Sequence, residues 1–162
     1  MLVRNARIED AEAIASIYND GINDRIATFE TRLRTPEDIR AWFSRQYPMV
    51  VVELDDTVIG FARTDRYRER ECYRHIAEYS VYVARRARLL GAGRAALSAL
   101  VVAASRAGLT KLVSRIFVEN TASRRLAAAE QFREVGVYQR HGQLDGVWRD
   151  VVIVERLLPT SV

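Results

Sequence analysis

Glu78-Tyr79-Ser80-Val81-Tyr82-Val83, followed a few residues on by Arg88-Leu89-Leu90-Gly91-Ala92-Gly93, is the most constraining passage of this chain. The first run, rich in β-branched and aromatic residues, reads as a strand. The second opens an alanine-rich helix over Gly91–Ala107, with Leu97, Val101 and Ala104 on one side and Gly108 placed to end it. Helix starts carry unpaired N–H groups and partial positive charge, so glycines there let an anion approach the backbone closely. Arg85, Arg86, Arg88 and Arg94 crowd the same stretch, an arrangement that suits a pyrophosphate.

Downstream, Lys111–Val118 is a further apolar strand, which makes the passage a strand-helix-strand unit with parallel strands. Upstream, Leu2–Ala6 reads as a short strand, and from about Glu9 a helix carries Ala11, Ile14, Ile17 and Tyr18 at helical spacing. Thr35-Pro36-Glu37-Asp38 starts a second helix: threonine caps, proline suits the first position, and two acids favour the positive end. Ile39, Trp42 and Phe43 give it a buried stripe. Pro48–Leu54 and Thr57–Ala62 read as antiparallel strands joined at Asp55-Asp56, and another strand over Cys72–Val83 meets the glycine turn. A helix from Asn120 through about Phe132 and strands over Glu134–Arg140 and Val147–Leu158 complete the order β-α-α-β-β-β-α-β-α-β-β. The expectation is one domain over residues 1–162, a three-layer α/β sandwich around a mixed, mostly antiparallel sheet.

With 49% apolar residues in 162, the composition argues against disorder. The net charge of +4 favours anionic ligands, and Lys111 is the only lysine, so arginine forks supply nearly all the positive charge. No basic run alternates with aromatics, which argues against nucleic acid as a partner. Cys72 is the only cysteine, so no disulfide within the chain and no multi-thiolate zinc site can form. His75 and His141 are too few and too separated for a metal site, so no metal is expected. The N-terminus turns charged too soon for a signal peptide, and the apolar stretch near Ala95–Ala104 is too short to span a bilayer. A cytoplasmic location without membrane contact is the expectation.

Gly91-Ala92-Gly93-Arg94-Ala95-Ala96 also fits the dinucleotide fingerprint. In that fold the first glycine follows its strand almost at once, whereas Ala84–Leu90 intervene here, and Glu119 is late for a ribose contact. A P-loop lacks its glycine-lysine-serine/threonine ending. A third reading is that the glycines only permit a tight turn.

The combined pattern resembles the GNAT N-acetyltransferases, whose Arg/Gln-x-x-Gly-x-Gly/Ala motif is matched by Arg88–Gly93. More narrowly it is similar to the phosphinothricin acetyltransferase branch, in which Ile17-Tyr18-Asn19, Ala27-Thr28-Phe29-Glu30, Ala77–Val83, Asn120-Thr121-Ala122-Ser123 and Trp148-Arg149-Asp150-Val151 recur in order. The resemblance implies transfer of the acetyl group of acetyl-CoA to the primary amine of a small amino-acid-like compound of the phosphinothricin or methionine sulfoximine type. It also implies a homodimer.

By the same resemblance Glu78 is the general base. Val81, Tyr82, Val83, Arg88, Leu89, Leu90, Gly91, Ala92, Gly93, Arg94, Asn120 and Ser123 contact the cofactor, and Phe29, Glu30, Arg70 and Tyr73 contact the acceptor. Asn120 serves equally as a helix cap, and Glu78 equally as a solvent-facing strand residue. Departures are Leu89-Leu90 in place of a basic-glycine pair, Gln131-Phe132 in place of glycine-aromatic, and Ala127 where the family has a tyrosine or histidine suspected of protonating the departing thiolate. Ala127 leaves open a catalytically weak acyl-CoA-binding or regulatory protein, and acetylation of a peptide or protein N-terminus is a further alternative.

Overall fold

The structure, a computed structural model, describes residues 1–159, so the last three of the expected 1–162 unit lie outside the described residues. Strands β1 (Leu2–Asn5), β2 (Met49–Leu54), β3 (Thr57–Arg66), β4 (Ile76–Val83), β5 (Lys111–Phe117), β6 (Arg133–Leu144) and β7 (Val147–Leu157) form one seven-stranded sheet in the order β1-β2-β3-β4-β5-β7-β6. Only β4 and β5 are parallel neighbours, joined by a helix as expected. The helices are α1 (Ala11–Asp24), α2 (Pro36–Phe43), α3 (Ala92–Arg106) and α4 (Thr121–Ala129).

Side chains alternate across a strand, and this sorts the helices into two layers. On one face Tyr82 of β4 stacks on Phe61 of β3 at 5.5 Å between ring centroids. Tyr18 of α1 packs edge-on against Tyr82 at 5.0 Å, and Trp42 of α2 lies tilted over Phe61 at 6.3 Å. Val81 and Val83 point to the other face, where a Cβ on Gly93 of α3 would meet both Val83 and Leu126 of α4 at an ordinary contact distance of 3.6 Å. The result is the expected three-layer sandwich.

Local chemistry sets the element ends. The Thr35 hydroxyl accepts from the Asp38 amide at 3.2 Å while the Asp38 carboxylate accepts from the Thr35 amide at 2.8 Å, a reciprocal cap ahead of Pro36. Asp55 and Asp56 both take positive φ, 50° and 59°, matching the twist of the β2–β3 hairpin. β3 runs on to Arg66, paired with β4, and β6 to Leu144, paired with β7, each four residues past the expected end, and two further boundaries differ for a local reason. β4 begins at Ile76 rather than Cys72 because Glu71–Tyr73 wind into a 3₁₀ turn, with the Tyr73 amide donating to the Arg70 carbonyl at 2.9 Å. α4 ends at Ala129, and Phe132 closes it by donating its amide to the Ala127 carbonyl at 2.9 Å across a left-handed Gln131 with φ 65°.

Arg4 of β1 ties the first helix to the sheet, its guanidinium reaching Asp10 at 2.8 Å and Glu53 at 2.5 Å. Burial alone would raise the Asp10 carboxyl, yet hydrogen bonds from the Arg4 guanidinium and the Arg7 amide hold it below the ordinary aspartate value. A depressed native value means that the stabilisation is complete above the unfolded-state value near pH 4 and fades as the pH falls through the native one. Asp10→Asn should therefore lower stability by about 1 kcal/mol at pH 7 and by much less at pH 2 to 3. Urea midpoints at the two pH values check this, and an equal loss at both would refute the linkage.

Candidate active site

The register between β4 and β5 creates the site. Ile76, Ala77 and Glu78 pair with Lys111, Leu112 and Val113, and beyond them the two strands part. At the vertex the Ser114 hydroxyl donates to the Tyr79 carbonyl at 3.0 Å. Successive residues of a strand turn their main-chain groups to opposite sides, so Val81 and Val83 aim theirs into the gap, like Tyr79. Those of Tyr82 face β3, where Tyr82 pairs with Phe61.

A cavity of about 350 Å³ fills the gap. Its walls are Glu78–Tyr82 of β4, Ser114–Phe117 of β5, Ala27–Glu30 from the segment after α1, and Asn120, Ser123 and Leu126 at the start of α4. The expected residues Glu78, Val81, Tyr82, Asn120, Ser123, Phe29 and Glu30 thus converge on one space. Phe29 is seated edge-on against Phe117 at 4.7 Å. Asn120 both caps α4, accepting from the Ser123 amide at 3.1 Å, and donates to the Ile26 carbonyl at 3.3 Å, which fixes the Ala27–Glu30 wall. Burial pushes the Tyr79 and Tyr82 hydroxyls well above the ordinary tyrosine value, so both stay protonated at neutral pH.

At the far end of β4 the chain enters the glycine turn. Gly91 has φ 84° and Leu89, fully exposed, has φ 67°, so consecutive amides splay outward rather than entering a helix directly. The first amide of α3 to meet a main-chain carbonyl is that of Ala95, which donates to Gly91 at 3.1 Å. Among the described residues the amides of Leu89, Leu90, Gly91, Ala92, Gly93 and Arg94 have no main-chain acceptor, and they form a cradle that fits a phosphate.

The arginines beside this cradle are partly committed elsewhere. Arg88 donates to Asp24 at 2.6 Å and to the Val83 carbonyl at 3.4 Å, Arg85 donates to Asp24 at 2.7 Å, and Arg94 donates to Glu130 at 3.0 Å. Burial would raise Asp24, but Arg85 and Arg88 hold it below the usual aspartate value. Arg88 and Arg85 thus lock the turn onto the end of α1.

The remaining acceptor candidates lie apart. Tyr73 packs edge-on against Tyr67 at 5.6 Å and lines an adjoining cavity of about 170 Å³ that shares Glu78, Ser114 and Arg115 with the larger one. Arg70 is exposed and lines neither cavity. Cys72 is exposed in the same 3₁₀ turn and also lines neither. Sequence reasoning missed Arg115, whose guanidinium donates to Glu78 Oε2 at 3.1 Å, and Arg68, which lies 3.8 Å from Oε1. The signal that finds Arg115 is strand alternation: Glu78 pairs with Val113, and Arg115 is the next residue of β5 on that face.

Comparison with known proteins agrees with this geometry. The model of the acetyltransferase (GNAT) family matches residues 14–132. A phosphinothricin N-acetyltransferase of Alcaligenes faecalis is 33% identical, covering 96% of this chain and 82% of that protein. Among solved structures, a ribosomal-protein-alanine N-acetyltransferase from Brucella melitensis has TM-score 0.93 at 32% identity, covering 98% and 100% of the two chains. An acetyltransferase from Salmonella typhimurium with its cofactor acetyl-CoA has TM-score 0.94 at 30% identity, covering 100% and 96%. The parted strands, the open amides before α3 and these matches lead to one conclusion: the chain belongs to the GNAT acetyltransferase family.

Proposed function

We propose that this acetyltransferase moves the acetyl group of acetyl-CoA to the primary amine of a small amino-acid-like acceptor of the phosphinothricin or methionine sulfoximine type. The observation that carries the reading is the gap between β4 and β5, with Glu78 at its closed end, followed beyond the far end of β4 by the open amides of Leu89–Arg94. Acetyl-CoA supplies an activated thioester. The amides of residues 89–94 receive its phosphates, helped by the positive end of α3, and the inward main-chain groups of Val81 and Val83 align its pantetheine arm.

Glu78 then acts as the base. An acceptor ammonium gives its proton to the Glu78 carboxylate, and the freed nitrogen lone pair attacks the thioester carbonyl carbon. The new C–N bond forms, the C–S bond breaks, and the second proton that the attacking nitrogen must lose passes, directly or through water, to the departing sulfur, leaving the amide and free thiol. Ala127, buried in α4, brings no proton donor to that sulfur. Phe29 and Glu30 wall the acceptor side, and Tyr73 of the β3–β4 loop lines the adjoining cavity that shares Glu78.

Thiol release from acetyl-CoA is the test, with L-phosphinothricin, L-methionine sulfoximine, common amino acids, polyamines and a short peptide as acceptors. Turnover on the first two supports the proposal. Peptide-only turnover would move the protein to N-terminal acetylation, and acetyl-CoA binding with silence throughout would make it a binding protein.

A homodimer and a cytoplasmic location belong to the same proposal. β6 is an edge strand with Val135, Val137 and Tyr138 exposed, and Val147 and Trp148 of β7 are exposed beside it. Such an edge invites a partner. Light scattering should give twice 18.5 kDa, and a monomer at micromolar concentration would overturn the dimer. A lone exposed cysteine suits a reducing compartment, and among the described residues no helix is long and apolar enough to cross a membrane.

A further inference from the structure

Two cations face the proposed base, and they are held differently. Arg68 is anchored on its own loop: its guanidinium lies 4.3 Å from the centre of the Tyr67 ring and donates to the Tyr67 carbonyl at 2.8 Å, leaving it 3.8 Å from Glu78 Oε1. Arg115 has a single polar contact among the described residues, its 3.1 Å bond to Glu78 Oε2, and 43% of its side chain is exposed. It stands where the two cavities join. The neighbouring Lys111 is not available, since it donates to Glu155 at 3.0 Å.

A long arginine held by one exposed ion pair exchanges partners at little cost, because such pairs contribute on the order of 1 kcal/mol or less. An amino acid carries its own pair of opposite charges, an ammonium and a carboxylate on one carbon. An amino acid bonded to both Glu78 and Arg115 needs the guanidinium to swing off Glu78, which its single, part-exposed contact permits. Insertion between them replaces one ion pair by two: ammonium on Glu78, where its proton must go, and carboxylate on the guanidinium fork.

We infer that Arg115 is the clamp for the acceptor's α-carboxylate, and that it selects free amino acids over amines whose neighbouring carboxyl is an amide, as at a peptide N-terminus. The inference rests on the small-acceptor reading above and deepens it. Arg115 touches the acceptor and not the thioester, so its loss acts on acceptor KM and leaves acetyl-CoA KM unchanged.

The experiment compares wild type, Arg115→Ala and Arg115→Lys on an amino acid that the wild type acetylates and on the carboxamide of that amino acid. The expected result is a rise of roughly tenfold or more in KM for the free acid with Arg115→Ala, partial rescue by lysine, and little change for the carboxamide. An equal rise for acid and carboxamide, or none for either, overturns the clamp while leaving the small-acceptor reading intact. Wild-type turnover on no free amino acid overturns both. Circular dichroism and the unchanged acetyl-CoA KM show that each variant is folded.

Discussion

Glu78→Gln should lower kcat at pH 7 by about a hundredfold, the scale of a single positioned general base, with acetyl-CoA binding nearly unchanged. The reason is ionic: an amine is mostly protonated at neutral pH, and an ammonium has no lone pair with which to attack a carbonyl. Glutamine keeps the shape of Glu78 and its place at the vertex of the gap but cannot take the proton. The deficit should shrink as the pH approaches the acceptor's own pKa, because solvent then supplies free amine. Rate profiles from pH 6 to 10 for both proteins check this. Superimposable profiles would remove Glu78 from the base role.

Glu30 is the control. It also lines the cavity, but from the segment after α1 and not from the vertex of the gap, and its side chain is 51% exposed against 25% for Glu78. Glu30→Gln should change kcat much less than Glu78→Gln and leave the shape of the pH profile in place. If the two variants exchanged these behaviours, the base would sit on the segment after α1 and not on β4.

The strand-helix-strand core of the fold was legible because periodicity is local. Alternation over Glu78–Val83, the glycines at 91 and 93 and the helical spacing of Leu97, Val101 and Ala104 each report on residues a few positions apart. What escaped depends on long-range pairing. That Arg88 also pairs with Asp24, 64 residues away in sequence, is visible only in the fold. Arg115 acquires meaning only through the parallel register that places Val113 against Glu78. The 3₁₀ turn at Glu71–Tyr73 interrupts what composition presents as a continuous strand, and it carries Arg70 away from the cavity while Tyr73 still reaches the adjoining one. Local chemistry fixed elements and caps, whereas the direction of an arginine waits on tertiary partners.

Gly21→Ala should destabilise the protein by about 2 kcal/mol, opposite in sign to the usual gain of up to ~1 kcal/mol for this change inside a helix. Gly21 lies in α1 directly against the sheet, and a methyl group there would sit 2.6 Å from Cδ1 and 2.7 Å from Cε1 of Tyr82. The ring cannot yield cheaply: Phe61 stacks on it, Tyr18 abuts its edge, and its hydroxyl is buried. Tyr82 also forms part of the cavity wall, so the clash should reach the site as a raised acetyl-CoA or acceptor KM. Thermal unfolding should show a midpoint about 5 °C lower. Gly136→Ala, where an added Cβ meets nothing within 4 Å, should stay within about 0.5 kcal/mol of wild type. Removing the ring locates the clash. In a Tyr82→Ala background Gly21→Ala should cost far less, because the ring atoms it strikes are gone, and the resulting coupling should approach the single-variant penalty. Full additivity of the two substitutions would mean that the cost of Gly21→Ala arises elsewhere in α1, and that the packing of this helix does not set the position of the cavity wall.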